Sequence, residues 1–275
     1  MEQPGRPDET MVVRRPVTRV TGRSRSAVDD AIAVERALEI RVGGRALSVT
    51  LRTPGADGEL ALGFLAGEGV LKRWEDVAEI AEAAAPRDDE PDTLDVTLAP
   101  GVPLDWTRFE RNFAATAACG ICGRAHLESL RAGLTPAVDE ARFDAEAVLA
   151  LPDRLRAAQV AFSETGALHG AVWCDGALEP RVLREDVGRH NAVDKVCGWL
   201  LREGLHGAGA GLLWVSGRAG AELVLKAARA RVPAMAAVGA PTSLAIELAR
   251  AAGMTLIGFL REGRMNVYTG ESRIS

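Results

Sequence analysis

The side chains best suited to chemistry in this sequence are two cysteines, spaced two residues apart in Cys119-Gly120-Ile121-Cys122-Gly123. The glycines leave little bulk beside either sulfur and let the backbone turn tightly. If a helix begins at Gly123, its free N–H groups and its dipole favour a thiolate at Cys122 and, less strongly, at Cys119. A thiolate is the nucleophile that accepts sulfur from a persulfide, so the motif suits sulfur transfer.

The same motif has other interpretations. Cys119, Cys122 and His126 have the spacing of zinc ligands, and either Cys174 or Cys197 could complete a tetrahedral site. The run that begins at His126 also resembles the His-x-Glu of zinc deaminases, although in those enzymes the two cysteines follow the histidine. A single Cys-x-x-Cys also occurs in disulfide exchange and in purely structural turns. The motif alone leaves all of these alternatives open.

The densest polar run lies between a predicted strand and a predicted helix, in Arg184-Glu185-Asp186-Val187-Gly188-Arg189-His190-Asn191-Ala192-Val193-Asp194-Lys195. If the helix begins near His190 or Asn191, its N–H groups and the cationic side chains point at one place, which predicts an anion site. The alternative is a solvated charged loop with Asp–Lys pairs inside the helix.

Other polar loops follow predicted strands. Ser216-Gly217-Arg218-Ala219-Gly220 opens a helix and suits a phosphate, although it lacks the P-loop pattern. Thr242 and Ser243 are either helix caps or ligand contacts, and His169 beside Gly170 is either structural or catalytic. Phe259-Leu260-Arg261-Glu262-Gly263-Arg264 adds two arginines at the end of a strand. Together these loops predict a nucleotide-sized pocket.

Composition limits the class of protein. The chain has 275 residues, 47% hydrophobic and 26% charged, as in an average globular protein, and its net charge of −5 argues against a dedicated nucleic-acid-binding protein. No apolar run reaches the roughly 18 residues of a membrane span, and no signal peptide is evident. We therefore expect a cytoplasmic protein. In that reducing compartment a close pair among four cysteines is expected to be redox-active, sulfur-handling or metal-binding.

The elements that must position these residues fall into two halves. Alternating apolar residues around Gly43-Gly44 predict a β-hairpin over residues 37–52, followed by a helix that Asp57 opens. From Phe143, where Asp144 is a predicted cap, strands alternate with helices, which predicts a largely parallel sheet covered on both faces. We thus predict an α/β protein with a flexible arm at 1–28, a small α+β domain at 29–118, the cysteine loop and a helix at 119–142, and an α/β domain at 143–275.

These motifs resemble those of the formate dehydrogenase accessory sulfurtransferases, the FdhD family. The resemblance runs from about Glu35 to the C-terminus, and the polar run Glu185 to Lys195 and the Cys-Gly-Ile-Cys-Gly motif are its most specific parts. Further matching segments are Glu39-Ile40-Arg41-Val42, Arg52-Thr53-Pro54-Gly55, Leu62-Gly63-Phe64-Leu65, Ser216-Gly217-Arg218 with Glu222 and Lys226, Ala240-Pro241-Thr242-Ser243 and Gly258-Phe259-Leu260-Arg261.

The resemblance implies a cytidine-deaminase-like layered α/β main domain without the deaminase zinc site. It also implies a sulfur carrier that takes persulfide sulfur from a cysteine desulfurase and passes it to a molybdenum or tungsten bis-guanine-dinucleotide cofactor, which activates formate dehydrogenase. A homodimer is the assembly that it favours. The rival hypothesis is a zinc-bearing chaperone that shelters the cofactor and uses its Cys-x-x-Cys structurally.

The same resemblance assigns roles to individual residues. It implies that Cys119 carries the persulfide, with Cys122 as its partner, and that residues 259–264 contact the cofactor. We expect further cofactor contacts from the polar loops, namely His169, Arg189, His190, Asn191, Asp194, Ser216, Arg218 and Thr242. Arginines are the expected phosphate ligands because a net acidic protein needs local cationic donors. No metal ligand is predicted.

Overall fold

The structure is a computed structural model that describes residues 11–87, 90–107, 109, 134, 136, 141–207 and 210–275. Within these residues the strands form three sheets. The strands are β1 (Val12–Thr21), β2 (Ser24–Ala33), β3 (Arg36–Val42), β4 (Arg45–Arg52), β5 (Val77–Ala83), β6 (Asp92–Leu98), β7 (His169–Asp175), β8 (Pro180–Asp186), β9 (Gly211–Val215), β10 (Ala234–Ala237), β11 (Thr255–Arg261) and β12 (Arg264–Thr269). The helices are α1 (Asp57–Gly67), α2 (Ala145–Ala158), α3 (Val160–Thr165), α4 (Arg189–Arg202), α5 (Ala221–Arg229) and α6 (Ser243–Ala251), with 3-10 turns at Trp74–Asp76 and Glu271–Arg273.

The largest sheet has six strands in the order β12-β11-β10-β9-β7-β8. The neighbours β9, β10 and β11 are parallel. The β7 strand runs antiparallel to both β8 and β9, and β12 runs antiparallel to β11. The sheet is therefore mixed, and the prediction of a largely parallel sheet was wrong at both ends. Short hairpins join β7 to β8 and β11 to β12, and such connections impose antiparallel pairing.

Helices cover both faces of this sheet, as predicted for the α/β half. On one face α4, α5 and α6 pack against Ala171, Leu213 and Met235. On the other face α2 packs against Val172 and the strand residues beside it. Successive strand residues point to opposite faces, and an apolar cluster packs against each face of the sheet. The described chain is a mixed α/β fold.

A second sheet of four strands, in the order β4-β3-β6-β5, forms the N-terminal unit with α1. The predicted hairpin is confirmed as β3–β4, and both turn glycines, Gly43 and Gly44, have positive φ. The predicted cap is confirmed too, since the Asp144 carboxylate accepts a hydrogen bond from the Ala147 amide at 2.8 Å.

Helix α1 packs directly across α4, and glycines allow this contact. A Cβ atom on Gly63 would lie 1.8 Å from the carbonyl oxygen of Asp194, and one on Gly198 would lie 1.9 Å from that of Glu59. No side chain fits at either position, so the two backbones touch. This crossing joins the N-terminal unit to the helix that carries the polar run.

Residues 12–33, most of which fall in the predicted flexible arm, form a regular two-stranded ribbon. Ten residue pairs join β1 to β2, and Gly22 has positive φ at the turn. The flexible arm was predicted because the segment is rich in Arg, Pro, Gly, Ser and Asp and has no hydrophobic periodicity. A two-stranded ribbon held by backbone hydrogen bonds needs no buried apolar face, so it can form without that periodicity. Residues 1–10 of the predicted arm lie outside the described residues.

The predicted cysteine loop and its following helix, residues 119–142, lie almost wholly outside the described residues, and so do Cys119 and Cys122. Among the described helices, none is long and apolar enough to cross a membrane.

Candidate functional site

The strand directions bring the predicted polar loops to one edge of the six-stranded sheet. Strands β9, β10 and β11 end there, β8 ends there, and the antiparallel β7 begins there. Backbone hydrogen bonds connect successive loops along the edge: Ser216 N–H to Gly170 at 2.9 Å, Gly239 N–H to Gly217 at 2.9 Å, and Phe259 N–H to Gly239 at 3.1 Å. The edge is therefore a continuous surface.

His169 and Arg189 flank Gly217 on this edge. A Cβ on Gly217 would lie 3.5 Å from His169 Nδ1 and 3.9 Å from Arg189 Cδ, so both side chains border this glycine. Burial and then the Arg189 guanidinium lower the pKa of His169, against an opposing effect of Asp186. The imidazole is therefore mainly neutral at pH 7, and it can donate or accept a hydrogen bond.

His190 lies in the first turn of α4 and forms a pair with Glu222 of α5, with 3.3 Å between Nε2 and the carboxylate. Burial lowers the pKa of His190, the charges of Arg189, Lys226 and His169 lower it further, and Glu222 opposes them. Neither α4 nor α5 has a side-chain cap at its N-terminus. Their first N–H groups therefore add positive potential at the same edge.

Asp194 lies in the interior instead of at the edge. Its carboxylate is 3% exposed and lies 2.8 Å from Lys226 Nζ at both oxygens. Burial raises the pKa of Asp194 to about 6 in spite of Lys226, and the carboxylate in turn holds the pKa of Lys226 above its usual range. The pair joins α4 to α5 beneath the site, and it leaves no carboxylate oxygen facing a ligand.

Asn191 is also enclosed, and its amide group is used within the protein. Its amide nitrogen donates to Leu51 O at 2.8 Å and to Asp186 Oδ1 at 3.1 Å, and its oxygen accepts from the Thr50 hydroxyl at 3.3 Å. These contacts attach the first turn of α4 to the end of β4. In this structure Asn191 and Asp194 position the site instead of lining it.

Asp186 is the centre of this joint and is completely buried. One oxygen accepts from the Gly188 amide at 2.8 Å, and the other accepts from the Thr53 amide at 3.1 Å and pairs with Lys195 at 2.8 Å. Lys195 also donates to Thr53 O at 2.8 Å. The alternative of a solvated loop with Asp–Lys pairs inside the helix was wrong, since these pairs are buried and connect separate elements.

The segment from Phe259 to Arg264 is the end of β11 and its turn into β12. Phe259 and Glu262 have φ values of 53° and 54°, and the register shifts between Gly258 and Arg261. This bulge holds Phe259 in a left-handed conformation, a strain that is concentrated at functional sites in proteins. The two-residue turn leaves Arg261, Glu262, Gly263 and Arg264 exposed together. Leu260 differs, since its side chain lies fully in the core.

The remaining predicted contacts have mixed roles. Ser216 Oγ accepts from the Gly170 amide at 2.9 Å, and Thr242 Oγ1 caps α6 through the Ala245 amide at 3.3 Å. Arg218 is exposed, and its stem lies against Gly239, where a Cβ would be 2.9 Å from Arg218 Cγ. The edge thus presents Arg218, Arg261 and Arg264, which are exposed, and Arg189, which is half-buried. These arginines form a cationic surface that suits a ligand with several phosphates.

The two cysteines that the structure describes are sealed in the core. Cys174 lies on the α2 side of the sheet and Cys197 on the α4 side, so a single zinc ion cannot bind both. Burial raises the pKa of each thiol to about 12. A thiol of that kind is protonated at pH 7 and is a poor nucleophile or metal ligand. Within the described residues, no cluster of three or more histidine, cysteine or acidic side chains could hold a metal ion.

Comparison with known proteins agrees with this arrangement. The model of the FdhD/NarQ family matches residues 33–275. The chain belongs to this family. The match includes the whole six-stranded sheet, the polar run and the β11–β12 turn, while the β1–β2 ribbon lies almost entirely before it.

Relatives in the family are similar along nearly their whole length. The sulfur carrier protein FdhD of Mycolicibacterium paratuberculosis is 47% identical over 268 residues, covering 95% of this chain and 98% of the relative. That of Streptomyces avermitilis is 45% identical over 268 residues, with 95% of both chains covered. A crystal structure described as a formate dehydrogenase accessory protein from Desulfotalea psychrophila shares the fold, with a TM-score of 0.76, 24% identity and coverage of 96% of this chain and 100% of that one.

Two residues of the site were missed by the sequence reasoning. Glu222 is the partner of His190, and Asp186 fixes the start of α4. Both lie in family motifs, but neither was predicted to be a site residue. Their position was the available signal. Asp186 is the last residue of β8, before the chain enters α4, and Glu222 lies in the first turn of α5.

Proposed function

We propose that this protein carries sulfur as a cysteine persulfide from a cysteine desulfurase to a molybdenum or tungsten bis-guanine-dinucleotide cofactor that formate dehydrogenase requires. The relatives named sulfur carrier proteins support the sulfur chemistry. The structural observation that carries the proposal is the burial of Cys174 and Cys197. Of four cysteines, these two are inert, so the sulfur chemistry falls to Cys119 and Cys122.

Loading is a thiol–persulfide exchange. The Cys119 thiolate attacks the terminal sulfur of the donor persulfide, a new S–S bond forms at Cys119, and the donor cysteine leaves as a thiolate. No net oxidation occurs. The protein then acts as a sulfurtransferase with a persulfide intermediate.

Delivery as sulfide requires two electrons, which Cys122 can supply. Its thiolate attacks the Cys119 sulfur, the bond to the terminal sulfur breaks, and that sulfur leaves with the electron pair toward the metal of the cargo. A Cys119–Cys122 disulfide remains, and a cellular dithiol reductant must reopen it. Both cysteines are therefore needed for repeated turnover.

The cationic edge is the cargo site in this proposal. Arg189, Arg218, Arg261 and Arg264 supply charge for the phosphates, and Phe259 supplies an aromatic face for a guanine base. The six-stranded sheet with helices on both faces supports the deaminase-like layering that the family resemblance implies. We also propose a cytoplasmic location, as expected from the sequence, and a homodimer, as that resemblance favours.

Persulfide labelling tests the proposal directly. After incubation with a cysteine desulfurase and cysteine, the peptide containing Cys119 is expected to gain the mass of one sulfur atom. The Cys119→Ala variant should fold, bind guanosine diphosphate as the wild type does, and fail to activate formate dehydrogenase in cells. Cys197→Ala is the matched control and should keep the label, because that thiol is buried.

Two results would contradict the proposal. One is full formate dehydrogenase activity with Cys119→Ala. The other is a stoichiometric zinc ion in the purified wild-type protein that is lost with Cys119→Ala, since this would make the motif structural.

A further inference from the structure

The β1–β2 ribbon is the most basic element of an acidic protein. Between Val12 and Ala33 it carries five arginines and two aspartates, whereas the whole chain has a net charge of −5. Residues 12–28 contain no acidic side chain. Three of the arginines, Arg19, Arg23 and Arg25, are grouped around the turn. We refer to these three as the ribbon tip.

The side chains of the ribbon tip are exposed and make few ion-pair contacts with the described residues. Arg19 reaches Asp30 only at 3.6 Å, with more than half of both side chains exposed. Arg23 and Arg25 are exposed and have no ion-pair partner among the described residues. Val20, the cross-strand partner of Arg25, is 58% exposed. Isolated two-stranded ribbons are marginally stable in water, so contact with another protein surface would stabilise this one.

The base of the ribbon is fixed beside the cationic edge. Strand β2 packs against α3, and Arg14 pairs with Glu164 of α3 at 3.7 Å. The Glu185 carboxylate accepts from the Ala161 and Phe162 amides at 3.1 and 2.8 Å, which attaches α3 to the end of β8. The chain leaves α3 and reaches His169 at the edge. A protein that takes the cargo from this edge therefore approaches the side on which the ribbon stands.

The chemistry of the ribbon favours recognition through side chains. Pro16 removes a backbone donor within β1, and arginines flank it along the strand. Proline and charge on an edge strand oppose the addition of a further strand. Three exposed guanidinium groups instead match carboxylates, with which arginine forms bidentate pairs.

We propose that the ribbon tip docks onto an acidic surface of the protein that receives the cofactor, cofactor-free formate dehydrogenase. This inference rests on the proposed function of the cationic edge. A nucleic acid is disfavoured because the chain as a whole has a net charge of −5.

Charge reversal at the tip tests this docking. The variant carries Arg19→Glu, Arg23→Glu and Arg25→Glu, and the matched control carries lysine at the same three positions, which keeps the charge. Binding of each purified protein to cofactor-free formate dehydrogenase is measured by surface plasmon resonance at low and high salt. We expect the reversed variant to bind about tenfold more weakly or worse at low salt, because three exposed ion pairs become repulsive. Salt should reduce the difference.

Persulfide loading by the desulfurase and binding of guanosine diphosphate are measured on the same proteins. Both should match the wild type, since the tip touches neither function. Unchanged dehydrogenase binding by the reversed variant would overturn the docking proposal. Two other results would also overturn it. One is a reversed variant that loses only persulfide loading. The other is a wild-type protein that binds a DNA duplex in a salt-sensitive way and does not bind the dehydrogenase. Failure of the wild type itself to load sulfur would instead refute the proposed function, so the two failures are distinct.

Discussion

At the scale of single residues, Glu222 opposes the effect of burial, which lowers the pKa of His190. It is the acidic group that faces His190, while Arg189, Lys226 and His169 oppose protonation. We predict that Glu222→Gln lowers the pKa of His190 further below its usual value, because the one opposing charge is removed. The imidazolium form would then be lost at a lower pH. The measurement is an NMR titration of the imidazole.

The control for this titration is Glu146→Gln, a change at an exposed residue of α2 on the other face of the sheet. It should leave the pKa of His190 unchanged. An increase in the His190 pKa with Glu222→Gln would show that Glu222 does not act through its charge.

At the scale of elements, the crossing of α1 and α4 fixes the start of α4 and hence the site. Gly63→Ala would place a Cβ 1.8 Å from the Asp194 carbonyl oxygen, so the helices must separate. We predict a loss of about 1–3 kcal/mol in the free energy of unfolding, although alanine favours an isolated helix. Urea denaturation measures this loss.

Gly58→Ala is the control in the same helix. Its Cβ would meet only the end of the Glu82 side chain at 3.2 Å, which can turn aside. This variant should be as stable as the wild type or slightly more stable. Equal stability of Gly63→Ala and the wild type would mean that the crossing is looser than the structure shows.

At the scale of the whole molecule, buried charges make the two units depend on each other. Glu59 of α1 is 4% exposed and contacts Arg184 of β8 at 2.6 Å and Arg202 of α4 at 3.0 Å. We predict that Glu59→Gln costs about 2 kcal/mol of unfolding free energy, because two cations lose their carboxylate. Unfolding should remain a single transition, measured by circular dichroism and by fluorescence of tryptophans in both units.

The exposed pair of Glu179 with Arg154 gives the comparison for Glu59. Glu179→Gln should cost less than about 1 kcal/mol, since exposed pairs are screened by water. Two separate transitions for the wild type would contradict the dependence of the units on each other.

Much of the local structure was predictable because it follows from neighbours in the chain. The glycine pair and the alternation around it predicted β3–β4, and Asp144 predicted the start of α2. Strand–helix alternation predicted the layered α/β half. The ribbon was missed, since its strands are mostly exposed and carry no burial pattern.

The sequence by itself determined the cysteine motif, the polar loops and their places at strand ends. Only the tertiary structure decided which polar side chains face a ligand. Arg218 and Arg261 are exposed, whereas Asp194 pairs with Lys226 and Asp186 with Lys195 in the interior. The physical reason is that the cost of burying a charge depends on a partner, and these partners come from elements that meet only when the chain folds.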